Sequence, residues 1–178
     1  MSAKDVFFKN VIRNNEAQRS HEERIKEDIR QFQSKTAALS QQIQRWLEGS
    51  GIEVIVWKTE FYDKSISRVL GGSTLLQRYS IDNIVLKNGT KSAKLLPRNL
   101  YGPGFKGRLA LVINNPSVAP AKYNIFLLFK PKRHKFSLYM QRGNRNPEGW
   151  ILSRDKQSSV NNVVLTEDYF FQAIRALA

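Results

Sequence analysis

Basic side chains that could contact phosphate dominate one long interval of this 178-residue chain, which has 29 Lys and Arg against 15 Asp and Glu. No acidic residue occurs between Asp82 and Glu148, whereas thirteen Lys and Arg residues do. Like charges repel, so an interval of this kind indicates a partner that supplies negative charge. Nucleic acid is the commonest such partner, and an anionic membrane or an acidic protein surface would also fit.

A basic hairpin is predicted inside this interval, between Lys122 and Arg142. If Pro131–His134 forms a four-residue loop, the register of both strands follows. Phe126 then lies directly across from Tyr139, on a face that also carries lysines. Such a face could stack bases on its rings and neutralise phosphates with its lysines. Alternatively, a helix covers the same face and both rings are part of the core. The continuous apolar run at 125–129 favours this alternative, because such runs are typical of strands that are buried on both faces.

The candidate nucleic-acid-binding residues are cations of this interval together with one tyrosine. The loop at 132–135 is the strongest candidate for a phosphate contact, because its four basic side chains are hard to bury. A second candidate surface surrounds the Gly/Pro-rich segment 97–107. The full set is Lys94, Arg98, Lys106, Arg108, Lys130, Lys132, Arg133, Lys135, Tyr139, Arg142 and Arg145.

Catalytic chemistry has few candidates in this composition. The chain has no cysteine and two histidines, His21 and His134, which are not spaced as a metal pair. We therefore expect no metal site and no cofactor. A metal-independent ribonuclease could use His134 as its acid or base, with Arg133, Arg142 and Arg145 stabilising the phosphate.

The first third of the chain reads as helix. Ser2 with Asp5 has the spacing of a capping box, and Ser20 with Glu23 suits a second helix start. The pattern predicts either two helices, at about 4–16 and 21–47, or one long helix with a polar centre. Apolar residues recur at heptad-like steps from residue 25, so the seam is either a dimerising coiled coil or a stripe docked on the chain's own sheet. The residues assigned to oligomerisation are Ile25, Ile29, Phe32, Leu39 and Ile43.

Beyond Gly51 the apolar period changes to two, which is typical of strands. The segment 52–62 reads as the first strand, Asn88-Gly89 predicts a hairpin turn, and Thr166 caps a final helix. No alternation of strands and helices indicates a parallel sheet. The sequence predicts an α+β fold with an antiparallel sheet of about five to seven strands, divided into a helical arm at 1–48 and a basic β-rich domain with a C-terminal helix at 51–178.

The expected function is non-catalytic binding of RNA or single-stranded DNA by an accessory protein, through a basic sheet and its loops. The alternative is a structural or adaptor protein. Its helical arm would be the interface, and its positive charge would complement an acidic protein partner. The ribonuclease ranks third. Because the longest apolar run has five residues and the N-terminus has no apolar core, we expect a cytoplasmic protein with no membrane association.

Overall fold

A computed structural model describes residues 1–72, 74–119, 121–128, 149–154 and 163–178. The expected α+β architecture is confirmed: a long N-terminal helix, an antiparallel sheet and a short C-terminal helix. Two single 3-10 turns, Leu75–Gln77 and Arg175–Leu177, complete it. The helices are α1 (Ala3–Leu47), α2 (Lys64–Leu70) and α3 (Glu167–Ile174), and the strands are β1 (Glu53–Tyr62), β2 (Arg78–Asn88), β3 (Lys91–Gly102), β4 (Phe105–Asn114), β5 (Ala121–Leu128), β6 (Gly149–Arg154) and β7 (Val163–Val164).

Helix α1 is continuous over 45 residues, a length of about 68 Å at 1.5 Å per residue. The capping box predicted at its start is present, since the Asp5 amide donates to Ser2 Oγ and the Ser2 amide donates to Asp5 Oδ2. No second helix begins at Ser20, because the helical backbone runs through that position. The one-helix alternative is therefore the correct one.

The second half of α1 is part of the hydrophobic core. Its apolar seam packs on the sheet of the same chain, as in the docked-helix alternative. The five residues that the sequence assigned to oligomerisation, Ile25, Ile29, Phe32, Leu39 and Ile43, are all buried there. Their side chains are thus occupied within the monomer and are not exposed to a partner helix. The residues of α1 from Ala3 to Ser20, in contrast, are all exposed and extend beyond the sheet.

The seven described strands form one antiparallel sheet in chain order, from β1 to β7. Alternate residues of β4 and β5, and of β3 up to its register shift, point to one face, which we call the inner face, and pack under α1 and α3. Leu95, Leu111 and Tyr123 form one row of this face, because they are successive Cα partners on β3, β4 and β5. The core therefore lies between this face and the two helices.

Most predicted strands are confirmed, but one predicted loop is wrong. Segment 97–107 is not an open loop: β3 runs through Pro97 to Gly102, and only two residues separate it from β4. Pro97 fits in the strand because the register shifts between it and Asn99, where the ladder is already interrupted. Helix α2 and strand β7 were not predicted.

A buried carboxyl group joins four elements at one end of the sheet. Asp63 follows β1 and caps α2, and its side chain is fully buried. Its Oδ1 accepts from the amide and hydroxyl of Ser65 at 2.9 and 2.6 Å. Its Oδ2 accepts from the Tyr79 hydroxyl and the Leu100 amide, both at 2.7 Å. These four bonds use all the lone-pair sites that a carboxylate offers.

The C-terminus is fixed to the tips of two strand connections. Asn88 Nδ2 donates to the Leu177 carbonyl at 2.6 Å, and Asn115 Nδ2 donates to the Ala176 carbonyl at 2.9 Å. Phe170 of α3 is fully buried and packs on Trp46 of α1 with ring centroids 5.3 Å apart. Within the described ranges, no helix combines the length and apolarity needed to cross a membrane.

Gly107 allows α1 to approach β4, and its substitution should destabilise the fold. In Gly107→Ala the new Cβ would lie 2.5 Å from Phe32 Cδ2, on a backbone with φ +107°. We expect a loss of roughly 2–4 kcal/mol in the free energy of unfolding, measured by urea titration. Gly72→Ala is the control, because nothing lies within 4 Å of its Cβ position. Equal midpoints for the two variants would contradict this account.

Asp63→Asn should destabilise the fold by about 2–4 kcal/mol. The amide NH2 group of asparagine is a donor, so it would face buried N–H and O–H groups that now donate to the carboxylate and would leave them without an acceptor. The matched control is Glu60→Gln, which removes a charge from an exposed pair with Arg78 that is expected to be worth less than about 1 kcal/mol. Thermal and urea unfolding of both variants measure the difference. A variant at Asp63 that is as stable as the control would show that the four bonds are not required.

Candidate nucleic-acid interface

The sheet face opposite the helices carries a row of alternating valines and lysines. Val85, Lys94, Val112 and Lys122 are successive Cα partners across β2, β3, β4 and β5. Directly opposed residues point to the same side of a sheet, so both lysines project from this outer face. Both are exposed. Their Cα atoms are about 10 Å apart, because two strand spacings separate them.

Lys87 extends this row toward the β2–β3 hairpin. It lies two residues along β2 from Val85, the partner of Lys94, which makes it a diagonal neighbour of Lys94 at roughly 7–8 Å. Lys87 is also exposed. We refer to Lys87, Lys94 and Lys122 as the lysine row.

Acidic side chains are absent from the strands that carry most of this row. The segments of β3, β4 and β5 contain no Asp or Glu, whereas β1 carries Glu53 and Glu60 and β2 carries Asp82. Glu53, opposite Lys87, lies at the β1 margin of the outer face. Among the described residues, no ion pair involves Lys87, Lys94 or Arg98. The positive charges of Lys87, Lys94 and Arg98 are therefore not neutralised by an ion pair within the described part of the chain.

Two arginines lie farther along the same strands, at the irregularity in β3. Arg98 occupies the register shift and is exposed, and Arg108 is the Cα partner of Asn99 across β4. Arg108 Nε and Asn99 Oδ1 are buried and have no hydrogen-bond partner among the described residues. The Arg108 guanidinium thus keeps donor capacity at the point where the ladder is interrupted.

Trp57 adds an aromatic ring to the outer face and was missed by sequence reasoning. Its neighbours Val54 and Val56 pack toward the core, so the alternation of a strand turns Trp57 to the other side. It is 40% exposed. The alternation of side chains along β1 could have predicted the position of Trp57, as the same alternation does for Lys122 beside Tyr123. The position of Lys87 next to Lys94 could not be predicted in this way, because it depends on the register of the β2–β3 hairpin.

Lys106, another of the candidate residues, forms an ion pair within the protein. Its Nζ lies 3.1 Å from Asp28 Oδ1 on α1, and the Tyr101 hydroxyl donates to Asp28 Oδ2 at 2.7 Å. Asp28 thereby joins α1 to the β3–β4 hairpin. Of the candidate residues within the described ranges, Lys94, Arg98 and Arg108 lie on or beside the outer face and Lys106 does not contribute to it.

The remaining candidates fall outside the described residues. They are the predicted loop and second strand of the basic hairpin, with the histidine of the ribonuclease hypothesis: Lys130, Lys132, Arg133, His134, Lys135, Tyr139, Arg142 and Arg145. The predicted pairing of Phe126 with Tyr139 is wrong, because the Cα partners of Phe126 are Arg108 on β4 and Ile151 on β6. His21 is described and lies within α1 rather than at a helix start. In the described ranges, no three His, Asp or Glu side chains group as metal ligands.

Comparison with models of protein families, with curated proteins and with solved structures gave no match for this chain. Functional inference therefore rests on the geometry of the outer face and of α1.

Two tyrosines make the stability of this region sensitive to alkaline pH. Burial, followed by the charge of Asp63, raises the pKa of Tyr79, and burial with the hydrogen bond to Asp28 raises the pKa of Tyr101. Because both pKa values are raised in the folded state, the stability that these groups contribute is complete below about pH 10 and is lost as the pH rises above it.

Urea unfolding between pH 8 and pH 11.5 tests this expectation, with Tyr79→Phe/Tyr101→Phe as the comparison. The double variant should be less stable than wild type at pH 8 and should lose less stability above pH 10. Identical pH profiles for the two proteins would show that neither hydroxyl contributes.

Proposed function

We propose that this protein binds RNA or single-stranded DNA, without catalysis, through the outer face of its sheet. The observation that carries the proposal is the lysine row, of which Lys94 and Lys122 lie on strands whose described part holds no carboxylate. A polyanion crossing this face meets cations on β2, β3 and β5. Negative side chains that would repel it lie mainly at the β1 margin. Release of counterions from the phosphates would drive such binding.

Single-stranded nucleic acid suits this surface better than a duplex does. A sheet face bearing separated lysines can follow an extended backbone, and single-stranded binders combine a basic track with rings on which bases stack. Trp57 is an exposed ring of the described outer face, two strands from Lys94. Contacts of this kind are made to phosphates and to the faces of bases, so we expect little preference for sequence.

Charge reversal in the lysine row should weaken binding and lower its dependence on salt. For Lys94→Glu/Lys122→Glu we expect at least a tenfold loss of affinity for 20-nucleotide single-stranded RNA and DNA, measured by fluorescence anisotropy from 50 to 300 mM NaCl. The slope of log affinity against log salt should fall by about 1.4, since each lost phosphate contact removes about 0.7 for single strands. Trp57→Ala should weaken binding without changing this slope.

The control is Lys35→Glu/Lys64→Glu, which changes the net charge by the same amount at two exposed positions on helices. It should retain wild-type affinity and slope. If both double variants lose affinity equally, net charge rather than the outer face is responsible. Wild-type binding that does not weaken with salt, or tighter binding to a polyglutamate chain than to nucleic acid, would overturn the proposal and favour an acidic protein partner.

A further inference from the structure

The tip of α1 exposes a concentration of apolar side chains that the fold does not use. Phe7 is 63% exposed, Phe8 52%, Ile12 58%, Val6 44% and Val11 41%. Isolated exposed apolar residues are ordinary, but five within seven residues form a patch of the kind that marks an interaction site. The described fold covers none of them, because every residue from 1 to 20 is exposed.

Most of these side chains share one side of the helix. At 100° per residue, Phe7, Phe8, Val11 and Ile12 fall within an arc of about 140°, and Lys9 and Arg13 fall on the opposite side. Val6 lies on the polar side. Lys4 falls within the apolar arc, where its ammonium group is 5.4 Å from the centroid of the Phe8 ring. A lysine in this position can bury its stem against the ring and still reach polar surroundings with its head.

The charge of the tip is complementary to an anionic surface. The first fourteen residues carry Lys4, Lys9 and Arg13 against the single acid Asp5. The Asp5 carboxylate already accepts from the amide and hydroxyl of Ser2, and this capping lowers its pKa. Phenylalanines on one side of a helix and basic residues on the other are the features of helices that lie in the interface of a bilayer.

A second copy of the tip is a poorer partner for the apolar patch than a lipid surface is. The five apolar side chains leave on the order of 500 Å² of apolar surface per copy, so two facing tips would bury at most about 1,000 Å², below the roughly 1,200–2,000 Å² of a stable protein interface. The polar residues Asn15, Gln18 and Glu22 follow the tip along the same seam and cannot extend it. A lipid surface has no minimum area of this kind, because each side chain enters it separately.

We propose that the tip of α1 binds the surface of anionic membranes by inserting Phe7, Phe8, Val11 and Ile12 among the lipid headgroups and acyl chains. Lys9 and Arg13 face the aqueous side and reach the anionic headgroups. The helix lies in the interface and does not span the bilayer. This proposal is independent of nucleic-acid binding by the outer face, since it uses none of the same residues.

Vesicle sedimentation of the full-length protein, stripped of nucleic acid, tests the proposal. The vesicles contain phosphatidylcholine alone or a 7:3 mixture of phosphatidylcholine and phosphatidylserine, at 0.1 and 0.5 M NaCl. Because the whole protein is basic, the decisive variant keeps the charge constant. Phe7→Ala/Phe8→Ala should lower the partition coefficient on the anionic vesicles at least tenfold at 0.5 M NaCl, where electrostatic attraction is screened.

Val6→Ala/Asn10→Ala is the control, since both residues lie on the other side of the helix. Alanine has the highest helix propensity, so neither double variant should lose helix content. The control should bind vesicles as wild type does, and circular dichroism should show equal helix content in all three proteins. Equal vesicle binding by the phenylalanine variant and wild type would overturn the proposal. So would a wild-type dimer in sedimentation velocity that dissociates in the phenylalanine variant without any vesicle binding, which would identify a second copy as the occupant. Lys94→Glu/Lys122→Glu should lose nucleic acid but keep the vesicle binding that persists at 0.5 M NaCl.

Discussion

The divergence of β2 and β3 is the constraint on which the rest of the fold depends. These strands pair only from the Asn88–Lys91 end of the hairpin as far as Ile84 and Leu95. Beyond that point the Leu100 and Tyr101 amides of β3 have no partner on β2, and buried amides must be satisfied. The Asp63 carboxylate and the Ser65 hydroxyl accept these two bonds, at 2.7 and 3.0 Å. The segment between β1 and β2 thus replaces a strand partner, which explains why a carboxyl group is buried there with no ion pair among the described residues.

The same packing decides which side chains reach the outer face. Successive residues of a strand alternate between faces, so the residues that fill the core determine the direction of those between them. Lys94 lies between Ala93 and Leu95, which are both buried under the helices, and Lys122 precedes Tyr123 of the inner face. A slip of one residue would turn both lysines into the core. The lysine row is therefore held in place by the apolar residues that alternate with it.

Local signals predicted much of this architecture, and long-range contacts account for what they missed. The hairpin signalled by Asn88-Gly89, the first strand and the Thr166 cap each depend on neighbouring residues, and all three elements are confirmed. The turn itself lies one residue later than predicted, at Gly89-Thr90, because Asn88 pairs with Lys91. Helix α2 has only seven residues, and its capping residue is bound by groups 16 and 37 positions away, which no window of sequence contains.

The apolar seam of α1 was ambiguous for a different reason. Steps of three and four residues bury a helix equally well against a partner helix or against a sheet. The missing information was in the sheet, where Gly107 leaves room for the Phe32 ring. The parity of the strands was readable from the sequence and placed Lys122 opposite the core. The distance between Lys94 and Lys122 was not readable, because it depends on the order in which the strands pair.

Docking of the second half of α1 also affects its first half. An isolated helix of about twenty residues with a polar centre is marginal in water, because nucleation is costly and each added residue stabilises it only slightly. In this protein the nucleus is supplied by the half that packs on the sheet, and the Ser2–Asp5 capping box stabilises the free end. The phenylalanine rings at the tip are therefore presented on a preformed helix roughly 30 Å from the core. A partner that receives them need not order the backbone, so more of the free energy of burying the rings is available for binding.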